Sequence, residues 1–362
     1  MRRTITRAGV ALLASDWLVA AAQSPAVDPR QADLAKAQAA QQLSQPLNNQ
    51  PVWKEVRSGA QQYTSLPGRE TSVLIQPEGQ TWRAVRNGQA SVYGGWLLVV
   101  VVLSIAAYYW RRGSIPLSEP PTGRKVRRFT TGERVIHWAT AIAFVALAVS
   151  GLVILFGKNV LLPLIGYTLF SWLALLAKNL HNFVGPVFVV CTILMFLAFV
   201  RDNVWQQGDA EWIRKGGGLL KGEHVPSHRF NFGEKSWFWF GVVFLGIVVG
   251  VSGLVLNFPN FEQTRATMQI ANIVHLVAAI VFICLSLGHI YMGTVGVDGA
   301  LESMRSGYVD ETWAKEHHEY WYNDIKAGKI PAGDEAELPM SLSKVIVGPR
   351  TAEEINWIEP ES

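Results

Sequence analysis

Four histidines lie inside long apolar runs of the chain: His137, His181, His275 and His289. A polar ring in lipid is costly, so each is a candidate for function by default. A lone one has ordinary uses, such as a hydrogen bond to a neighbouring helix or one step of a proton relay. For four, position decides. His275 and His289 share the segment IVHLVAAIVFICLSLGHIYMG, fourteen positions apart. At about 100° and about 1.5 Å per residue they fall within about 40° of one helix face and about 21 Å apart. One therefore lies near each surface of a bilayer. Two histidines from different helices at one depth can ligate a haem iron, one on each face of the macrocycle. Two such layers make a transmembrane electron wire. Zinc is the rival metal, but it favours clustered ligands that include cysteine or carboxylate. The two layers are too far apart for one ion.

The helices that must carry these rings can be counted. A bilayer core takes about 20 apolar residues in a helix. Residues 92–110, 135–157, 179–200, 237–258 and about 270–293 qualify as five spans. The stretch 161–177 is apolar but broken by Pro163 and Gly166, and reads as an interfacial or re-entrant joint between two spans. Apolar residues make up 49% of the 362-residue chain and charged residues 17%, below the ~25% of a soluble protein. The expected fold is an all-α membrane protein: a four-helix bundle over 135–293, preceded by an extra transmembrane helix at 92–110.

The N-terminus, MRRTITRAGVALLASDWLVAAAQSPA, has the basic, apolar and small-residue regions of a secretory leader over 1–22, although Asp16 interrupts the apolar part. Residues 23–91 are rich in Gln, Ala, Ser and Pro and form an exported low-complexity segment, extended or marginally helical. Within it, TSVLIQPEGQTWRAVRNGQ suits a short hairpin. Lys and Arg crowd the linker 111–134 and the loop 201–235, whereas the intervening loops carry only Lys158, Lys178 and Arg265. Those basic loops and the tail 294–362 are then cytoplasmic, and the N-terminal segment is outside. With this topology His181 and His275 share the outer depth, and His137 and His289 the inner.

Cys191 and Cys284 both lie in apolar runs and read as buried, inert thiols. They supply no CxxCH attachment motif, so any haem is held non-covalently. Gly151 and Gly185, with Gly241, Gly246, Gly250 and Gly253 of the histidine-free span, either clear space for a macrocycle or allow close helix packing. Pro186 is expected to kink its helix. Asn182 and Ser286 are candidates to bond the second nitrogen of a ligating histidine. Arg127, Arg128 and Arg134 either pair with haem propionates or serve only as topology signals. His317 and His318 read as a solvated or partner-contacting tail.

Residues 125–325 resemble the gamma, or cytochrome b, subunit of respiratory formate dehydrogenase. The motifs that carry the likeness are FTTGERVIHWATA, LHNFVGPVFV, RFNFGEKSWFW, the His275–His289 segment and YVDETWAKEHHEYWY. The histidine spacing alone would also suit the cytochrome b subunits of nickel–iron hydrogenases. RFNFGEKSWFW and the tail around His317 and His318 favour formate dehydrogenase.

The resemblance implies an outer b-type haem on His181 and His275 and an inner one on His137 and His289. It implies a quinone beside the inner haem, near Asn231, Gly233 and Glu234. It also implies an iron–sulfur beta subunit and a molybdenum or tungsten alpha subunit as partners in the bacterial inner membrane, with no nucleic acid. Electrons would pass from formate through those subunits and both haems to quinone. Protons would be taken from the cytoplasm, a redox loop in which each electron crossing against 100 mV stores about 2.3 kcal/mol. The chain alone carries no ligand set for oxidising formate. Two departures stand out: residues 1–115, which shorter members lack, and Glu234, where other members have Gln. A solvated loop charge is the plainer reading of Glu234. A haem-free histidine-relay transporter is the alternative from a different class.

Overall fold

The computed structural model describes residues 78–218, 225–261 and 263–330 continuously, and shorter stretches between 33 and 75. The expected leader, His224 and the tail beyond residue 330 lie outside the described residues. The chain divides into two units, residues 1–85 with 262–269, and residues 86–261 with 270–362.

The first unit contains helix α1 (Gln50–Ser58) and a two-stranded antiparallel pair, β1 (Gln62–Tyr63) and β2 (Val73–Ile75). The hairpin expected within 71–89 is not formed. β2 pairs back to β1, with Gln62 opposite Ile75, and helix begins at Glu78. Pro77 stands just before that start, and no run of β-branched residues follows to hold a strand.

Among the described residues, five helices are long and apolar enough to cross a membrane by length and composition: α2 (Glu78–Arg112), α3 (Thr131–Val160), α4 (Leu162–Phe199), α6 (Phe232–Asn257) and α7 (Arg265–Gly296); the short α5 (Asp209–Lys215) comes between α4 and α6 in the chain. Each is longer than the span read from hydropathy: α2, α3, α6 and α7 add polar turns, chiefly at their starts, and α4 takes in the apolar stretch before residue 179. Large apolar side chains such as Leu103, Ile142, Leu197 and Ile247 are exposed on their outer faces. Apolar surface of this extent marks a face that lipid or a partner protein covers.

α3 and α6 start alike. Thr130 Oγ1 accepts from the N–H of Glu133 at 3.2 Å, and the Glu133 carboxylate accepts from the N–H of Thr130 at 2.8 Å. Asn231 and Glu234 make the same reciprocal box at 3.0 and 2.9 Å. Each box satisfies two backbone donors that a helix start leaves unpaired.

The stretch 161–177 is helical from Leu162 onward. Past a break at Gly166 (φ 75°), it runs as helix straight into the third span. Glycine tolerates that left-handed angle without strain, so the chain turns there and the helix resumes. Pro186 lies inside α4 with helical backbone angles; the non-helical residue of α4 is Gly166.

Between the two histidine depths, Ala143, Phe188, Leu245, Val249, Ala278 and Phe282 form a buried core. Phe282 packs on Phe144 at 4.7 Å and on Phe188 at 6.3 Å between ring centroids. Cys191 and Cys284 are unbonded and only partly buried.

The linker and the tail fold together. β3 (Lys125–Arg127) pairs antiparallel with β4 (Tyr308–Asp310), with Val126 opposite Val309. Helices α8 (Ala300–Arg305), α9 (Glu311–His317) and α10 (Glu319–Lys326) close around them. The core of this module is Val126, Val309, Trp313, Ala314, Trp321, Tyr322 and Ile325.

Candidate functional site

The helices bring the four histidines together in two facing pairs. The rings of His181 (α4) and His275 (α7) have centroids 6.1 Å apart. Those of His137 (α3) and His289 (α7) are 6.3 Å apart. Two imidazoles on opposite sides of one metal, each bonded at about 2.0–2.1 Å and each with its centre about 1.2 Å further out, have centroids about 6.4–6.6 Å apart. Both pairs sit close to that spacing.

Hydrogen bonding fixes which nitrogen of the first pair is free. The hydroxyl of Ser150 donates to the carbonyl of Ala146 at 2.7 Å and lies 3.0 Å from Nδ1 of His181. A hydroxyl has one proton. With that proton assigned to the carbonyl, the serine oxygen accepts and Nδ1–H of the imidazole donates. His275 repeats the arrangement. Ser252 donates to the carbonyl of Val248 at 2.5 Å, and Nδ1 of His275 lies 3.1 Å from Ser252 Oγ and 3.1 Å from the carbonyl of Val249. A carbonyl only accepts, so Nδ1 again carries the proton. Both rings are left with a bare Nε2, the tautomer that binds a metal.

These partners replace Asn182 and Ser286. The backbone carbonyl of Asn182 instead accepts from the side chain of Asn257, and the hydroxyl of Ser286 is buried without a partner among the described residues. The distances explain the difference: sequence neighbours of a histidine on its own helix point elsewhere, whereas serines on adjacent helices reach it. The sequence did carry a signal. VSGLV occurs twice, at 149–153 in α3 and at 251–255 in α6. In both copies the serine bonds an imidazole and the next residue clears its edge. A Cβ on Gly151 would fall 3.2 Å from Cε1 of His181, and one on Gly253 would fall 3.1 Å from Cε1 of His275.

The remaining glycines divide. Gly246 and Gly250 lie against Thr192 and Val189 of α4, where a Cβ would come within 2.9 and 3.2 Å. That is close helix packing. A Cβ on Gly185 would have nothing within 4 Å.

The end of the bundle that carries His137 and His289 is clamped by ion pairs. Arg128 is buried, bonds Glu234 at 2.8 Å and donates to the carbonyl of Arg229. Arg229 in turn pairs with Glu133 at 2.8 Å and with Asp202 at 2.5 Å. Lys235 and Asp209 form a buried pair at 2.8 Å, with Gln206 completing the ammonium's contacts at 3.0 Å. Glu234 is therefore not a solvated loop charge. It caps α6, neutralises Arg128 and lies within electrostatic reach of His289.

Arg128 is likewise committed to Glu234. Burial pulls its guanidinium below the ordinary arginine value, and the carboxylate beside it pushes back. Arg134 donates to the carbonyl of Arg305 at 2.8 Å. Gly233 packs on Trp212, whose ring a Cβ would meet at 2.9 Å.

His318 is also not a solvated tail residue. It is 1% exposed, with Nδ1 donating to the carbonyl of His228 and Nε2 3.9 Å from Glu234. Burial first, then the Arg128 charge, lowers its pKa to about 3. The tail is thus tied through His318, Glu234 and Arg128 to the start of α6. Among the described residues, no three or more of His, Cys, Asp and Glu gather as a metal cluster. The donor set on offer is two pairs of imidazoles.

Comparison with known proteins agrees with this arrangement. The family described as prokaryotic cytochrome b561 matches residues 128–307, and that family implies b-type haem. The cytochrome b556(fdo) subunit of formate dehydrogenase from Escherichia coli K12 is 34% identical over 203 residues, covering 55% of this chain and 92% of the relative. The nitrate-inducible cytochrome b556(Fdn) subunit from the same organism is 30% identical over 216 residues, 57% of this chain and 93% of the relative. The formate dehydrogenase cytochrome b556 subunit of Haemophilus influenzae is 25% identical over 217 residues, 57% of this chain and 86% of the relative. All three alignments leave more than two fifths of this chain unmatched. The chain belongs to the family of formate dehydrogenase cytochrome b subunits.

Proposed function

We propose that this chain is the membrane-anchoring, di-haem subunit of a formate dehydrogenase complex that reduces quinone. The reading rests above all on the two facing histidine pairs, at 6.1 and 6.3 Å. His181 and His275 hold one b-type haem, and His137 and His289 hold the other. Bound there, the haems supply one-electron transfer across the apolar span, from an iron–sulfur partner subunit on one side toward quinone on the other.

The protein's part is to hold and tune. Ser150 and Ser252 fix the tautomer and plane of His181 and His275, and raise their donor strength. Gly151 and Gly253 let the neighbouring helices approach the rings. The apolar core around Phe144, Phe188 and Phe282 separates the two depths and excludes water from between them.

Quinone binds beside His289, at the start of α6 formed by Asn231, Gly233 and Glu234. The capping box uses the amide oxygen of Asn231, and its NH2 group is the donor for a quinone carbonyl. Arg128 holds Glu234 beside that position. The basic linker and the folded tail then face the cytoplasm, following the Lys and Arg asymmetry of the loops. Protons for quinone are drawn from that side, and the electrons cross from the other.

The test is a reduced-minus-oxidised visible spectrum of membranes containing the protein, with a pyridine haemochrome count. A b-type α band with about two haems per chain is expected. A colourless protein after ample haem supply would overturn the reading in favour of a histidine-relay transporter. Co-purification with a molybdenum- or tungsten-containing subunit separates formate dehydrogenase from a hydrogenase partner.

A further inference from the structure

Trp237 lies near the start of α6. Its indole lies 4.9 Å from the ring of His289, centroid to centroid, with the planes 13° apart. The two rings are stacked face to face. The contacts of the other histidines differ in kind. Trp138 meets His137 edge-on at 87°, and His181 and His275 are held through Nδ1 by serines. Among the described residues, His289 makes no hydrogen bond of that kind. The ring torsion of histidine is broad, so some other contact must set its plane.

The surroundings hold the indole in place. Trp237 opens a π-helical stretch, Trp237–Leu245, inside α6. Such widened turns are frequent at functional positions. The indole lies along the helix over Gly241, where a Cβ would fall 2.4 Å from the ring. Any side chain at 241 would displace it. It also meets Phe282, at 5.9 Å between ring centroids. Phe282 and His289 are seven positions apart on α7, so they share a face, and Trp237 fills the gap between them. It also follows the Asn231–Glu234 cap within two turns.

We infer that Trp237 is a positioning residue that sets the imidazole plane of His289 by stacking, with Gly241 keeping its place open. This rests on His289 being a haem ligand. Two depths are then built differently: hydrogen bonds orient the His181–His275 pair, and an aromatic stack orients His289.

Electron paramagnetic resonance of the oxidised, membrane-bound protein tests it. The g values of a low-spin haem with two imidazole ligands depend on the angle between the ring planes. Trp237→Leu and Gly241→Ala should each move one of the two low-spin signals and leave the other in place. Trp237→Phe, which keeps an aromatic face, should stay close to the unaltered protein. A redox titration should show the same selectivity.

Unchanged signals in Trp237→Leu and Gly241→Ala at full haem content would overturn the inference, as would equal movement of both signals. If Trp237→Leu loses haem, Gly241→Ala decides alone, because it keeps the indole and only displaces it. Failure of the underlying reading looks different. The unaltered protein would then lack two bis-histidine signals, or His289→Ala would keep its full haem content.

Discussion

Ser150 on α3 holds His181 on α4 by accepting a hydrogen bond from Nδ1 at 3.0 Å, while its own proton goes to the carbonyl of Ala146. Ser252 on α6 does the same for His275 on α7. Each serine sits on a helix next to the one that carries its histidine, so the bond also ties the two helices together. Because both serines serve one pair, Ser150→Ala and Ser252→Ala should affect the same haem. Loss of such a partner typically weakens metal binding by about 10–100-fold. Haem retention after detergent purification should fall for that haem only. Its midpoint potential should move positive, because an imidazole that no longer donates is a poorer electron donor. Opposite haems responding to the two variants would contradict the pairing of roles.

The Lys235–Asp209 pair is nearly free of solvent, at 4% and 3% side-chain exposure. Removing one member strands the other charge, at a cost of about 3–5 kcal/mol. Lys235→Met and Asp209→Leu should each lower the temperature at which the haem absorbance is lost. The double variant should recover most of that loss, because replacing a whole buried pair with apolar residues is often neutral. A double variant as damaged as the sum of the singles would show that the two charges are not energetically coupled and would contradict the pair.

His318 makes the linker–tail module sensitive to acid. Its pKa falls from the ordinary 6.5 to about 3 in the folded protein. The groups facing it are Arg128, Glu234, His317 and the carbonyl of His228. In the unfolded chain it takes up a proton near pH 6.5; in the folded protein it stays neutral until about pH 3. The unfolded state therefore binds more protons across that window, and stability falls as pH falls through it. The limiting slope for one proton is about 1.4 kcal/mol per pH unit. Amide exchange in residues 308–325, corrected for its intrinsic pH dependence, should quicken between pH 6.5 and 4. His318→Gln should flatten that response. An unchanged slope in the variant would place the acid sensitivity elsewhere.

The histidines were legible in the sequence because a polar ring in an apolar run stands out, and helical rise converts their spacing into depth. Depth groups His181 with His275 and His137 with His289, and the rings of each group lie about 6 Å apart in the fold. The groups that hold the rings were much less legible. A serine in a membrane helix usually bonds its own backbone, so Ser150 and Ser252 look ordinary until the neighbouring helix is in place. The repeat of VSGLV was the available clue.

Arg128 and Lys235 misled in a different way. Both counted among the basic residues that mark a cytoplasmic loop, yet each is buried in an ion pair whose partner, Glu234 or Asp209, lies on a distant segment or another helix. Charge counting sees the residue and not its partner. The folded tail escaped for the same reason: its core needs residues 125–127 to pair with 308–310, a contact that no local pattern encodes.

The proposed haem ligation requires the four histidines to act as two separate ligand pairs. The most direct measurement is the haem count of single and double alanine variants. His137→Ala, His289→Ala and their combination should all leave one haem, the same one by spectrum and potential. His181→Ala, His275→Ala and their combination should all leave the other. A double variant across the pairs, such as His137→Ala with His181→Ala, should leave none. If His137→Ala and His289→Ala removed different haems, or if a cross-pair double variant kept one, the two-pair account would be contradicted.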